Sequence, residues 1–251
     1  LIELMHDFVL FDGGIKKLPR CHQYFGIKAA QTHVQERRGG IIWHTQGSGK
    51  SIVMVMLAKW ILENNPRARI AIITDRDELD RQIEGVFKDA GEGIYRTDSG
   101  LDLMRQLGQA RPRLLCSLVH KFGPRGARKT EEQFNQFVRE LESGPSRTVG
   151  EVFVFVDECH RTQSGRLHRV MKAMMPNAVF IGYTGTPLLR KDRATTMETF
   201  GSYIHTYKFD EAVADEVVLD LVYEARDIDQ RLGSEEKIDA WFEAKTQGLN
   251  A

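Results

Sequence analysis

The residue types best suited to chemistry are Gly47, Gly49, Lys50 and Ser51, in the string Ile41-Ile42-Trp43-His44-Thr45-Gln46-Gly47-Ser48-Gly49-Lys50-Ser51. Two glycines, one residue apart, let successive backbone N–H groups turn inward toward phosphate oxygens, and a helix beginning just after them adds a partial positive charge. A lysine in the next position reaches β- and γ-phosphates, and a serine hydroxyl takes a place on Mg²⁺. An apolar β-like run, Ile41 to Trp43, precedes the loop, and an apolar helical pattern from Ile52 to Leu62 follows it. Strand, glycine turn, Lys-Ser and helix are the order in which a P-loop holds a nucleoside triphosphate. Thr45, Gln46 and Ser48 complete the candidate ATP-binding set. One departure stands out: the general pattern G-x-x-x-x-G-K-[ST] has glycine where this chain has His44.

A second group, Asp157-Glu158-Cys159-His160, closes the run Val152-Phe153-Val154-Phe155-Val156. A carboxylate at the carboxyl end of a central strand can hold Mg²⁺ from the side opposite Ser51, a role for Asp157. Glu158, one residue further on, can orient or deprotonate the water that attacks a γ-phosphate. Thr184-Gly185-Thr186-Pro187 ends the next strand-like run. Its hydroxyls could couple phosphate state to a neighbouring surface, or the segment is simply a turn, which Gly and Pro make in any case.

These groups need a scaffold that delivers strand ends to one rim, and the hydrophobic pattern supplies it. Strand-like runs at 41–44, 69–74, 113–119, 151–157 and 178–183 alternate with helical patterns at 50–63, 77–90, 99–107, 131–141 and 167–174. Ser99 is a plausible N-cap for the third helix. Near-continuous Val/Ile/Phe runs fit strands buried on both faces, so the pattern predicts an α/β domain with a mostly parallel central sheet flanked by helices. Upstream, residues 1–18 read as an amphipathic helix and a turn at Asp12-Gly13-Gly14, and a helix is expected from Gly26 to Glu36. Downstream of Tyr207, helix 209–215, strand 217–223 and helix 235–245 read as the start of another unit.

Composition narrows the class. At 251 residues, with 41% hydrophobic and 28% charged residues, the chain is an ordinary globular protein able to bury a real core. No apolar run approaches the ~20 residues that span a bilayer. Leu1 to Phe11 carries Glu3 and Asp7 and lacks a basic start, which excludes a signal peptide. A chain beginning at Leu1 is expected to be a fragment. Three distant cysteines, Cys21, Cys116 and Cys159, without a C-x-x-C pair, fit reduced thiols in an intracellular protein. Net charge is zero, yet residues 1–208 hold 31 Lys/Arg against 23 Asp/Glu, while residues 209–243 hold 12 Asp/Glu against 3 Lys/Arg. A basic body is compatible with a polyanionic partner.

The three groups together resemble motifs I, II and III of superfamily 2 helicases and translocases of the DEAD/DEAH-like kind. The longer strings Trp43 to Ser51, Thr74-Asp75-Arg76-Asp77-Glu78-Leu79-Asp80, Asp157 to Arg161, Arg20-Cys21-His22-Gln23-Tyr24-Phe25 and Phe200-Gly201-Ser202-Tyr203-Ile204-His205-Thr206-Tyr207 resemble the motor (R) subunit of type I restriction-modification enzymes. The likeness runs from about residue 5 to 225. In that family a histidine accompanies Thr45-Gln46, so His44 supports the resemblance. It implies a RecA-like P-loop ATPase domain over residues 19–207. Residues 1–18 would come from a missing upstream nuclease part, and residues 208–251 would begin a second unit or lead to a second RecA-like domain.

By the same resemblance Gln23 reads adenine, because a side-chain amide both donates to and accepts from the base edge, and Tyr24 or Phe25 packs near the base. Thr74, Asp75 and Arg76 fall in motif Ia and Ser117 to Lys121 near motif Ib, facing DNA. Lys121, Arg125, Arg128 and Lys129 form either a DNA contact or a solvated loop. Arg161, Arg166, His168, Arg169 and Lys172 form either a phosphate contact or an exposed helix face. The implied activity is ATP hydrolysis with Mg²⁺, coupled to translocation along double-stranded DNA before cleavage. The implied setting is a cytoplasmic complex with methyltransferase and specificity subunits and no membrane. Other superfamily 2 motors, such as a type III restriction subunit or a repair helicase, share the motifs. A nucleotide-dependent binding switch without turnover is the reading from another class, and Glu158 argues against it. Glu243-Ala244-Lys245 has the E-x-K form of a nuclease site but sits in a charged helical pattern and reads as a surface helix.

Overall fold

The computed structural model describes residues 2–12, 14–74, 87, 93–118, 139, 148–159, 165–186, 196–198, 200–222, 224 and 234–246. It falls into two compact units, Leu1–Val218 and Leu219–Ala251. The first is built on a seven-stranded sheet in the order β5-β6-β4-β7-β8-β3-β9. The strands are β3 (Gly40–His44), β4 (Ala68–Thr74), β5 (Ile94–Arg96), β6 (Leu114–Leu118), β7 (Glu151–Val156), β8 (Val179–Thr184) and β9 (Tyr203–Tyr207). Every pairing within it is parallel. All strand carboxyl ends therefore meet at one rim.

Side-chain alternation splits the core into two layers. Ile70 and Ile72 of β4, Phe153 and Phe155 of β7, and Ile181 and Tyr183 of β8 pack on one face with helices α2 (Cys21–Gln35) and α3 (Lys50–Asn64). Ala71 and Ile73, Val152, Val154 and Val156, and Phe180 pack on the other with α4 (Gly100–Leu107) and α5 (Gly165–Met174). A strand apolar at every position must bury both faces, as the uninterrupted Val/Ile/Phe runs predicted. Each fully buried large side chain contributes roughly 1.5–3 kcal/mol. Ser99 does cap α4, its Oγ accepting from Asp102 N at 3.1 Å.

The rim at the strand beginnings is fastened by two arginines. Arg69, 2% exposed, donates from Nε to Pro112 O (2.9 Å) and from its two Nη atoms to the carbonyls of Gln106, Leu107 and Gln109, at the end of α4. Arg113 donates to Ala68 O, Leu62 O and Asn65 O. A cation at a helix C-terminus meets the carbonyls that the helix leaves unpaired.

Several expectations are corrected. Residues 1–18 form α1 (Ile2–Asp7) and an antiparallel hairpin, β1 (Leu10–Asp12) with β2 (Ile15–Lys17), rather than one helix and a turn. Phe8 and Leu10 anchor the segment in the core. Helix α2 starts five residues before the expected Gly26, at Cys21. The expected strand at 217–223 does not form over 217–222: Leu219 and Val222 are 91% and 94% exposed, and no strand among the described residues pairs with them. The edge strand β9 and the short β5 were missed, since each is only partly buried and lacks an apolar run. Helix α6 (Phe209–Ala214) follows β9, and α7 (Glu235–Thr246) carries Glu243 and Lys245 on an exposed surface. The helices expected at 77–90 and 131–141 lie outside the described residues, apart from Phe87 and Arg139. Among the described residues no helix is long and apolar enough to cross a membrane.

Candidate nucleotide site

β3 ends at His44 and α3 begins at Lys50, with the loop Thr45–Gly49 between them. Gly47 and Gly49 take φ of +85° and +82°, a region costly for any side chain. A Cβ on Gly49 would lie 2.5 Å from Gln23 Nε2, so glycine is required there twice over. The loop is braced by its neighbours. Gln23 Nε2 donates to Ser48 O (2.9 Å) and Gly49 O (3.4 Å), while Gln23 Oε1 accepts from Arg20 N (2.8 Å). His22 Nε2 donates to Ser48 O at 2.9 Å. Thr45 N donates to Tyr207 O of β9, and Ser48 Oγ donates to Thr45 O at 2.5 Å. The carbonyls of Thr45, Ser48 and Gly49 are thereby turned into the protein, which is what a loop needs to present N–H groups to an anion.

His44 lies beneath the loop rather than in it. It is the last residue of β3 and fully buried, with Nε2 2.9 Å from His205 Nδ1. Its ring meets the bare face of Gly26 on α2, where a Cβ would come within 2.9 Å. His22 stacks flat on Tyr207 at 3.9 Å, and Tyr207 OH donates to Asp215 Oδ2 at 2.8 Å. Burial first, then the neighbouring His205, His22 and Lys50, push His44 down to about 3. Burial also lowers His22 and His205. The three imidazoles are therefore neutral near pH 7, and His44 Nδ1 has no hydrogen-bond partner among the described residues.

The ends of β7 and β8 complete the site. A Cβ on Gly185 would stand 2.7 Å from Lys50 Nζ and 3.2 Å from Gln46 N, so β8 ends directly against the lysine and the loop. Thr184 Oγ1 donates to Thr186 O and accepts from Thr186 N, both at 3.2 Å, which makes the Thr-Gly-Thr segment a tight turn. Asp157 is 4% exposed, with its N–H on Ile73 O. Glu158 is half-buried and has φ of +46°, costing roughly 1–2 kcal/mol for a residue with a Cβ. The chain then dives back: Cys159 is buried, and its N–H donates to Tyr183 O at 2.9 Å. Burial, with Asp157 and Glu158 nearby, raises the Cys159 thiol well above its usual range, so it is no nucleophile.

This donor set fits Mg·ATP: two left-handed glycines, a lysine against the strand end, a serine in the first helical turn and a buried carboxylate two strands away. The SWI2/SNF2 ATPase family model matches residues 22–251. The chain belongs to that family. It is 32% identical over 249 residues to a protein of Methanocaldococcus jannaschii named as the MjaIXP endonuclease subunit of a type I restriction enzyme, covering 94% of this chain and 22% of that one. It is 32% identical over 257 residues to the HindI endonuclease subunit of Haemophilus influenzae, covering 89% and 23%. The chain thus spans about a fifth of the length of these relatives. In fold it is similar to a Sulfolobus solfataricus SWI2/SNF2 ATPase core solved with double-stranded DNA (TM-score 0.54, 13% identity, 84% of this chain and 40% of that one). The RecA-like α/β architecture expected from the sequence is the one observed.

Within this SWI2/SNF2 ATPase domain the structure gathers Gln23, Thr45 to Ser51 and Gly185 at one rim, with Asp157 and Glu158 ending the strand beyond β8. Thr74 and Ser117 end β4 and β6 on the same rim and are buried. Arg169 and Lys172 are exposed on α5. Asp75, Arg76, Val119–Lys121, Arg125, Arg128, Lys129, His160, Arg161 and Pro187 lie outside the described residues, and the side chains of Arg166 and His168 are likewise not described. Sequence reasoning missed the His22, His205, Tyr207 and Asp215 support beneath the loop. Its signal lay in the strings Arg20 to Phe25 and Phe200 to Tyr207, which carry these side chains without saying that they meet.

Proposed function

We propose that this domain is the ATP-hydrolysing motor of a type I restriction endonuclease subunit, coupling Mg·ATP turnover to translocation along double-stranded DNA before cleavage. What carries the reading is the contact of Lys50 with the Gly185 turn, which ties the phosphate loop to the strand following the Asp157-Glu158 strand. The likeness to the two endonuclease subunits supports the biological setting.

Lys50 neutralises phosphate charge, and N–H groups of residues 46–51 line the triphosphate. Ser51 and Asp157 hold Mg²⁺, which when bound would polarise the γ-phosphate. Glu158 orients and deprotonates the attacking water. Gln23 exchanges its bonds to Ser48 O and Arg20 N for the adenine edge. In this reading residues 19–207 form the first motor domain, 1–18 join a nuclease part and 208–251 lead toward a second motor domain. The partners are the methyltransferase and specificity subunits, in the cytoplasm. ATP hydrolysis by the intact protein, measured with and without duplex DNA, tests it. Stimulation by duplex is expected; no stimulation would remove translocation from the account.

A further inference from the structure

Glu158 needs a backbone conformation that its own side chain disfavours, and the source of that conformation is next door on β8. Gly182 lies between Val156 of β7 and Ile41 of β3 in the parallel registers. A Cβ built on it would stand 2.8 Å from Cys159 Sγ, 3.1 Å from Cys159 Cβ and 3.2 Å from Phe200 Cδ1. The space a side chain would fill at 182 is thus filled by Cys159. That side chain reaches it only because the chain reverses at Glu158, where φ is +46°. The N–H of Cys159, bonded to Tyr183 O, fixes the same reversal from the backbone.

We propose that Gly182 and Cys159 act together as a positioning lock for Glu158. Cys159 is the plug and Gly182 the socket, and their contact holds the Glu158 turn in its left-handed conformation. This rests on the assignment of Glu158 as the water-activating group. The atoms nearest a Cβ at Gly182 belong to Cys159 and Phe200 rather than to the phosphate loop or Lys50, so disturbing the lock should change the chemical step more than nucleotide affinity. Cys159 is suited to the role because a small, buried thiol packs as a compact apolar group.

The test uses the intact protein with saturating duplex DNA. Gly182→Ala should lower kcat about ten- to a hundredfold with KM for ATP within about threefold, because displacement of a catalytic group by an ångström or less has effects of this size. Gly182→Ala combined with Cys159→Ala removes the 2.8 Å contact with Sγ and leaves those at 3.1 and 3.2 Å, so it should recover part of the lost kcat, about threefold or more. Cys159→Val, which crowds the socket from the other side, should reproduce the kcat loss and covers the case in which Gly182→Ala does not fold. Alkylation of Cys159, followed in a Cys21→Ser background, should be slow in wild type and faster in Gly182→Ala.

Full kcat in either folded crowding variant, or a loss that the double variant fails to relieve, overturns the lock. Glu158→Gln separates the two ideas. If it leaves turnover intact, the role of Glu158 is wrong, and the alkylation rates still decide whether the plug holds the turn. If it abolishes turnover while the crowding variants stay fully active, the lock is wrong and the role of Glu158 stands.

Discussion

The two rims of the sheet treat buried polarity in opposite ways. Where strands begin, Arg69 is sealed from water, yet its guanidinium donates to four carbonyls, and Arg113 beside it donates to three. Where strands end, His44 Nδ1, Ser117 Oγ and Tyr183 OH are buried without a hydrogen-bond partner among the described residues, in the last two positions of β3, β6 and β8. The fourth such atom, Gln31 Nε2, belongs to α2. An unsatisfied buried polar group costs about 1–3 kcal/mol, so one rim is optimised for stability and the other is not. Left-handed Glu158 lies at the second rim too. Left-handed backbone does not separate the rims, since Arg37 (φ +53°) stands just before β3 at the first, but unmet polarity falls on the rim where we place the chemistry.

The comparison can be broken by showing that either rim does the other's work. The largest effect is expected from Lys50→Ala, which should reduce ATP turnover of the intact protein by a factor of about a thousand while the melting temperature stays within a few degrees. Retained turnover would detach Lys50 from the site. Arg69→Met removes four hydrogen bonds, although Gln106 O and Leu107 O keep the backbone N–H groups of Gln109 and Val149, and should destabilise the fold by about 3 kcal/mol in chemical denaturation, with KM for ATP unchanged in the folded protein. A selective loss of ATP binding there would erase the distinction between the rims.

Acid should act through the rim where strands end. The folded protein holds His44 neutral down to about 3, whereas the unfolded chain protonates it near 6.5. Between those values the unfolded state binds the extra proton, so stability is complete above about 6.5 and falls as pH falls. By pH 5 the loss from this residue is about 2 kcal/mol, and lowered His22 and His205 add in the same direction. Denaturation midpoints at pH 7.5 and pH 5 measure it, and His44→Gln should flatten the slope. A slope unchanged in that variant would place the acid sensitivity elsewhere. The smallest effect is set by Gly49→Ala, whose strained φ and contact with Gln23 should weaken ATP binding about tenfold in a titration and lower stability by about 1–2 kcal/mol. Unaltered affinity would show that the loop tolerates a side chain there.

Much of this was legible in the chain. The strands β3, β4, β6, β7 and β8 announce themselves because a strand buried on both faces must be apolar throughout, as Arg69–Thr74 nearly is. The loop is equally plain, since few residues other than glycine adopt the φ values of Gly47 and Gly49. What stayed hidden depends on contacts distant in sequence. β9 is half-buried, and its place beside β3 is set by the pairing of Ile42 with His205 and His44 with Tyr207. Gln23 carries a loop-bracing role that no local pattern encodes. The segment from Val217 looked like a strand by residue type, but a strand exists only where a partner offers its backbone. Arg69 stood out only as the first residue of a strand-like run, because only the fold reveals the carbonyls gathered around it.

The pairing of β3 with β9 has a temporal consequence. The phosphate loop is made well before Tyr207, whose carbonyl fastens Thr45. The intervening chain must be made before that bond can close. Contacts this distant along the chain are slow to form, because loop-closure entropy is spent before they return anything. A growing polypeptide therefore carries an open phosphate loop until β9 has been made and paired. The loop is written long before it is fastened.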